Sequence, residues 1–540
     1  MSENTNKRKQ SSWTPLAVAI ATVVGIVIGM FMGNPFKSAG HIEGERKLNS
    51  ILNLVAQEYV DDTVNIDDLI DLAIPEILAN LDPHSTYLNV DDLKAAKEDL
   101  NGSFSGIGIQ FQSINDTIRV IEVIPGGPSD KVGLLPGDRI VQVNDSNFIG
   151  VDVNKVRSQL RGDKGTKVKV GVKRSTSDKV LNFTITRGDI PVNSVDAAYM
   201  IEKNTGYVKV NQFGRNTYTE FITALNQLSG EGAKRYIIDL RGNGGGYMEI
   251  AILMANEFLP ANRLIVTTKG RYKRDEDKVY SDGNGSFQDT ELVVLIDEYS
   301  ASASEIFAGA MQDNDRGLIV GCRSFGKGLV QRQFELPDKS AIRLTIARYY
   351  TPSGRCIQKP YDHYEKDILD RFSNGELSSR DSIRIDKTQI FSTTTGRTVY
   401  GGGGIIPDIF VPRDTTGYTG YYAAVINAGL LHQFSFTYVD NNRRSLSAMK
   451  DYQQLLRNMP SNDKMLNDFV EFASQHGVPA RWYYINMSRD NIVTGLKALI
   501  ARDLFGQSAY YPIINRNDRT IEAALRALNH HKAAFPITDD

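Results

Sequence analysis

Residues 292–331 read LVVLIDEYSASASEIFAGAMQDNDRGLIVGCRSFGKGLVQ. LVVLID is a continuous apolar run, too short for a helix and rich in β-branched residues, so it reads as a strand. EYSASAS is a polar turn, and EIFAGAMQ has helical texture. GLIVG is a second apolar strand. Fully apolar strands followed by helices belong to a sheet covered on both faces.

The same texture extends outward. YIIDL (236–240) is another such strand, followed by RGNGGG and the helical YMEIAILMANEFL. LVQRQFEL and AIRLTIARYY alternate as strands do. Residues 361–400 are polar with little strand signal and read as an insertion, after which GGGGIIPDIFVP returns to ordered texture. These segments define an α/β core over 191–412. Residues 413–540 are mostly helical, with SAMKDYQQLLRNM and IVTGLKALIARDLFG as examples, and read as a separate C-terminal domain. Upstream, residues 102–190 carry short strands such as SGIGIQFQ, TIRVIEVI, RIVQVN, KVKVGVKR and VLNFTITR. Turn signals PGGP and PGD separate them, which makes a small β-rich domain. Residues 41–101 are helical: Leu48, Ile51, Leu52 and Val55 recur at helical spacing until DPHSTYL breaks the pattern at Pro83.

The N-terminus has its own logic. Lys7, Arg8 and Lys9 precede an uncharged apolar run from Trp13 to Gly33, about the 20 residues a membrane-spanning helix needs. Basic residues ahead of the span keep that end, residues 1–12, in the cytoplasm and export the rest. MFMGNPF offers no small-residue cleavage site, which favours an uncleaved anchor at 13–33 over a removed signal peptide. The expectation is a single-pass inner-membrane protein with its body in the periplasm.

The chain of 540 residues has a net charge of -2, which leaves no electrostatic footprint for nucleic acid. Two cysteines, Cys322 and Cys356, exclude a disulfide framework or a cysteine-rich metal site. No metal-ligand spacing is present, and no cofactor is implied.

GCRSFGKG (321–328) nearly matches the phosphate-binding pattern G-x-x-x-x-G-K-[S/T]. The hydroxyl residue that would ligate Mg²⁺ is replaced by Gly328, and the following residues alternate as a strand instead of opening a helix. An exported body would also meet little nucleotide. A lysine between glycines can instead act as a base, provided desolvation lowers its pKa. Its candidate partner is Ser302, at a strand-to-helix turn. Ser302 with Glu305 three residues on is also a capping box, so the bland reading is a helix cap. Yet such turns are where hydrolases present nucleophiles, and the helix N-terminus offers N–H groups to an oxyanion. Ala303 is the natural first donor, with RGNGGG as the second source. None of the seven histidines lies between Val192 and Arg348, although folding over long range leaves His84 and His363 open. A Ser-Lys dyad needs none.

The block SASASEIFAGAMQDNDRGLIVGCRSFGKGLVQ closely resembles the catalytic block of the carboxyl-terminal processing (tail-specific) peptidases. LDPHSTYL, DLRGNGGG, ARYYTPSGR and GIIPDIFV resemble further landmarks of that family, so the resemblance spans about His41 to Pro412. It implies a crotonase-like α/β core, Ser302 as nucleophile, Lys327 as general base and Gln331 as the residue that orients the lysine. Gly244 or Gly245 would join Ala303 in the oxyanion hole. Cys322 departs from the family's usual polar residue there, and nothing is carried over to the tail. The β-rich domain resembles a PDZ domain, with Gly106, Ile107, Gly108 and Ile109 as its carboxylate-binding loop. Successive amides there can capture a C-terminal carboxylate while the next strand pairs with the peptide.

The expected protein is therefore a multidomain α+β chain: anchor, helical region, PDZ domain, protease core and helical extension. Its expected work is endoproteolysis of exported proteins or peptides with free C-termini. Homo-oligomers are left open. The rival readings are a catalytically dead PDZ scaffold and, from the shared core fold, an acyl-CoA enzyme.

Overall fold

The computed structural model describes residues 42–530, apart from 62, 115, 175, 176, 178 and 447. The expected anchor at 13–33 and the stretch 1–12 lie outside the described residues. Among the described residues no helix is long and apolar enough to cross a membrane.

The first unit ends at Asn80, and its described residues hold two helices, Ile42–Glu58 and Ile66–Ala79. Asn65 caps the second by accepting from the Asp67 amide at 3.0 Å. The second unit carries everything from Leu81 onward.

Within it, the β-rich domain is a twisted antiparallel sheet. Its strands run in the order Ile109–Ile114, Thr117–Val123, Arg139–Val143, Lys167–Lys173, Val180–Thr186. KVKVGVK buries Val168, Val170 and Val172 and exposes its lysines, the alternation a one-sided sheet requires. The helix Val153–Leu160, capped by Asp152, adds Val156 and Leu160 to the same core. A short ribbon, Ser103–Gly106 paired with Gly188–Pro191, ties the domain's entry to its exit.

The α/β core is a six-stranded sheet in the order Val195–Glu202, Thr205–Val210, Arg235–Asp239, Glu291–Ile296, Leu318–Gly321, Ile409–Phe410. The first pair is antiparallel and the rest are parallel. LVVLI and YIID are buried on both faces, as their unbroken apolar runs require. Helices Thr217–Gly230, Met248–Asn256 and Ala303–Asp313 pack on one face.

The other face is covered by the helix Arg519–Asn529, whose Ile521, Ala524 and Leu528 meet Tyr207, Ile237, Val293 and Leu295. This corrects the expectation that everything after Pro412 is a separate domain. Alternate residues of the central strands must be buried on that side too, and the amphipathic last helix does so. Residues between Tyr421 and Ile513 do form their own helical core.

A second, antiparallel sheet joins Thr86–Leu88, Ala341–Tyr350, Leu264–Gly270 and Asp277–Tyr280, with Leu329–Glu335 also on Ala341–Tyr350. LVQRQFE after Lys327 is thus a strand. The polar 361–400 region is held by buried charge as well as by buried Leu377, Ile383 and Val399: Arg323 makes a bidentate pair with Glu376 at 2.5 and 2.7 Å. Asp313 ends the Ala303–Asp313 helix and Asp315 lies in the turn after it, both buried and paired, while half-buried Arg316 bonds the Phe258, Phe287 and Thr290 carbonyls. Asp313 meets Arg355 at 2.7 Å and Asp315 meets Arg397 at 2.7 Å. Cys322 and Cys356 are both free thiols.

Candidate active site

Ser302 sits where the apolar strand Glu291–Ile296 has turned into the helix Ala303–Asp313. Its backbone is forced to φ +57°, a left-handed conformation rare outside glycine. Such strain at a strand-to-helix turn projects a side chain away from both elements. The capping box expected from Ser302 and Glu305 is present, with the Glu305 carboxylate accepting from the Ser302 amide at 2.9 Å. The serine half is looser: the hydroxyl lies near the Glu305 amide without closing a cap hydrogen bond of normal geometry. The helix-cap reading of Ser302 is therefore realised on its Glu305 half.

Glu305 is fully buried and does more than cap. It also accepts from Ser324 Oγ at 2.5 Å, the Gly326 amide at 2.7 Å and the Lys327 amide at 2.8 Å. One carboxylate thus ties the start of the serine's helix to the lysine's loop. Burial raises its pKa, while these donors pull it back down. Tyr349, also buried, seals the same junction from the second sheet: its hydroxyl lies 2.6 Å from the Lys327 carbonyl and 3.1 Å from the Ser302 carbonyl.

Lys327 directs its Nζ to Gln331 Oε1 at 3.1 Å, and no hydrogen bond joins it to Ser302. Burial holds its pKa below the ordinary lysine range, and the nearby Arg343 guanidinium adds to the effect; Glu305 and Asp82 oppose it. Gln331 in turn donates its Nε2 to the His84 carbonyl at 2.6 Å. A carbonyl can only accept, so this bond fixes the amide with its oxygen toward the lysine.

His84 is the histidine that folding brings in, from LDPHSTYL. Its ring nitrogen Nε2 lies 2.5 Å from the Tyr364 hydroxyl. Burial and the Lys327 charge push its pKa down to about 4, so it is neutral at physiological pH. Lys359, itself held below the usual range by burial, packs 3.8 Å from the Phe325 ring centroid and 4.1 Å from that of Tyr364. Sequence reasoning missed Tyr349, Tyr364 and Lys359 as neighbours of the site; the landmark ARYYTPSGR contains the first.

Opposite Ser302 lies RGNGGG. A Cβ on Gly245 would stand 2.7 Å from the Ala301 carbonyl oxygen, 2.8 Å from Ser302 Cβ and 3.0 Å from the Ala303 nitrogen, and its φ is +103°. Only glycine fits there. The Gly245 amide is already donated to Asn243 Oδ1 at 2.9 Å. The Gly244 and Ala303 amides have no acceptor among the described residues. Of the two glycines expected as oxyanion donors, Gly244 is the one with a free N–H. Behind this loop Asp239 is fully buried. Burial raises its pKa, but Arg241 and Lys209 outweigh that and hold it well below the carboxylate range.

A model of peptidase family S41 matches residues 204–368. A carboxyl-terminal-processing protease of Picosynechococcus sp. is 36% identical over 313 residues, which is 57% of this chain and 74% of that protein. The chain belongs to this family. A carboxy-terminal-processing protease of Bartonella bacilliformis is 36% identical over 317 residues, 58% of this chain and 72% of that one. The carboxy-terminal processing protease CtpA of Bacillus subtilis is 34% identical over 350 residues, 63% and 74% respectively. A PDZ model matches residues 105–186, and residues 421–506 match a family of unknown function. The protein is a serine-type peptidase of the carboxyl-terminal processing kind, with a PDZ domain.

In this S41 peptidase Ser302, Ala303, Gly245, Lys327 and Gln331 gather around the Glu305 junction, with Gly244 next to Gly245 in the chain. Gly106, Ile107, Gly108 and Ile109 stand apart on the PDZ domain. Gly106 ends the ribbon strand, and Ile109 begins the sheet's edge strand. The Ile107 and Gly108 carbonyls accept from Ser129 and Ile124 at 2.9 and 3.0 Å, while the two amides between the strands have no acceptor among the described residues.

Proposed function

We propose that this peptidase cleaves peptide bonds with a Ser302–Lys327 dyad. Neutral Lys327 takes the Ser302 proton as the oxygen attacks the carbonyl. The Ala303 and Gly244 amides hold the oxyanion. Lys327 then protonates the leaving amine, and water releases the acyl-enzyme. Gln331, oriented by the His84 carbonyl, keeps the lysine from swinging away. The observation that carries this reading is the shared Glu305 carboxylate. It clamps the amides of Ser302 and Lys327 at 2.9 and 2.8 Å, beside a lysine that burial makes less basic. The Lys327–Ser302 hydrogen bond forms as the lysine leaves Gln331, a tightening expected as substrate binds.

The PDZ loop 106–109 captures the free carboxylate of a substrate whose last residues are apolar, and the edge strand pairs with the residues before it. The basic N-terminus and the apolar run 13–33 support a single inner-membrane anchor with the catalytic body in the periplasm.

A serine-reactive probe should label the wild type and not Ser302→Ala. Lys327→Ala should lose cleavage while keeping the wild-type circular dichroism spectrum. Turnover retained in purified Lys327→Ala would eliminate the dyad. Protection of the body from protease in intact spheroplasts would eliminate the periplasmic assignment.

A further inference from the structure

The helical segment 421–506 has no assigned role, and one of its residues is buried without being part of its core. Phe436, on the helix Leu430–Asn441, is only 4% exposed. Its neighbours Phe434 and Val439 belong to the helical domain's apolar cluster, but Phe436 does not. What lies over its ring is a PDZ residue: the Arg119 guanidinium stands 5.0 Å from the ring centroid.

Arg119 is on the PDZ strand Thr117–Val123. That strand's Ile118 and Val120 face the PDZ core, so Arg119 and Ile121 face outward. In the paired edge strand Ile109 and Phe111 pack on the core, so Gln110 and Gln112 face outward with them. A cavity of about 270 Å³ separates this outer face from the helical domain. Gln110, Gln112 and Ile121 line one side, and His432, Phe436 and Arg502 the other. Charge is matched across the gap. Glu122 is raised by burial and lowered by Arg502, with Asp503 opposing, and Arg119 has Asp440 as its acidic neighbour. In the turn before Arg139–Val143, where the Gly137 amide bonds the Val120 carbonyl at 2.7 Å, the approach is tight: a Cβ on Gly137 would lie 2.8 Å from Arg443 Nη2 and 3.2 Å from Asp440 Oδ1.

The contact is polar, cavity-containing and anchored on one aromatic ring, the composition of a reversible interdomain interface more than of a core. It also uses the strand Ile109–Ile114, whose other edge is unpaired among the described residues. Ser302, Lys327 and Gln331 take none of their hydrogen bonds from the PDZ segment.

We propose that the 421–506 domain is a docking platform for the PDZ domain, gripping the outer face of its first hairpin so that the free edge of Ile109–Ile114 is held ready for a substrate C-terminus. The readiness part rests on the reading that this edge receives the peptide; the docking part does not.

The test uses the full chain in a Ser302→Ala background, with Phe436→Ala and Arg119→Ala made separately. Hydrogen–deuterium exchange should accelerate in 117–123 for Phe436→Ala and in 430–441 for Arg119→Ala. A fluorescent peptide with apolar last residues and a free carboxylate should bind about fivefold more weakly, corresponding to ~1 kcal/mol. Unchanged exchange across the interface overturns the docking. Faster exchange with unchanged affinity overturns the role in peptide capture. If the unmutated background binds the amidated peptide as well as the acid, the capture reading itself fails, and exchange still judges the docking. Arg119 is a half-exposed surface residue, so its variant carries the test should Phe436→Ala not fold.

Discussion

Replacing Glu305 by glutamine tests the junction at the centre of the proposed mechanism. The carboxylate accepts four hydrogen bonds, three of them from backbone amides that can do nothing but donate. An amide in its place must turn its NH₂ toward one pair of these donors. Facing Ser302 and Lys327, it strands two amides. Facing Ser324 and Gly326 strands only one, because the Ser324 hydroxyl can accept. The better orientation leaves one buried N–H unpaired, costing about 1–3 kcal/mol, and converts two charge-assisted bonds to neutral ones at roughly 1 kcal/mol each. Relief of the buried charge offsets part of this, so the net destabilisation should be about 2–4 kcal/mol, read from urea unfolding. A second effect separates chemistry from mere loosening. The Glu305 charge favours protonated Lys327. Removing it lowers the lysine's pKa further, and in the proposed mechanism the neutral lysine is the active form. The rising limb of kcat/KM against pH should therefore move to lower pH, while the plateau falls as the serine and lysine lose their shared clamp. A variant with an unmoved limb and stability within about 0.5 kcal/mol of wild type would refute the junction.

Arg343→Gln should act in the opposite sense: its charge disfavours protonated Lys327, so its loss raises the lysine's pKa and shifts the same limb to higher pH. An unmoved limb would exclude Arg343 from the tuning. Gly245→Ala should abolish turnover and destabilise by roughly 2 kcal/mol or more, since its Cβ has 2.7 Å to the Ala301 oxygen and a φ of +103°. Thermal melts and labelling by a serine-reactive probe check both. Asp313→Ala leaves the Arg355 guanidinium charged and buried without its partner at 2.7 Å, with a cost of about 3–5 kcal/mol in unfolding. It should lower the melting temperature without moving the pH profile of whatever remains folded.

The parts of this molecule that were legible in the sequence are those whose cause is local. LVVLID and YIID declare strands buried on both faces because every residue before the closing aspartate is apolar. EIFAGAMQ declares a helix, and LVQRQFEL declares the strand that disqualifies a nucleotide site. The serine–lysine block is local too, since both residues stand on one strand–helix–strand unit. What stayed hidden depends on residues far apart in the chain. His84 reaches the lysine through the pairing of Thr86–Leu88 with Ala341–Tyr350, which no periodicity announces. The helix Arg519–Asn529 looked like part of a separate domain because its partner face belongs to strands far earlier in the chain, from Tyr207 to Leu295. The 361–400 region looked loose because it is ordered by buried ion pairs such as Arg323–Glu376, and charged residues read as surface.

The likeness of GCRSFGKG to a phosphate cradle has a physical origin that the structure makes plain. In a cradle, glycines let the backbone approach a ligand. Here they let it approach other backbone. A Cβ on Gly326, at φ +90°, would lie 3.1 Å from the Gly404 nitrogen, and one on Gly328 would lie 2.9 Å from the Gln358 nitrogen. The amides that a cradle would aim at phosphate, those of Gly326 and Lys327, are aimed at a carboxylate supplied by the protein itself, Glu305. The loop is thus an anion-binding loop whose anion is covalently part of the neighbouring helix. That substitution explains why the motif's spacing survives without its terminal hydroxyl residue. The Glu305 charge is met by backbone amides and the Ser324 hydroxyl, which leaves the Lys327 ammonium in a desolvated pocket against the Gln331 oxygen, as the proposed proton transfer requires.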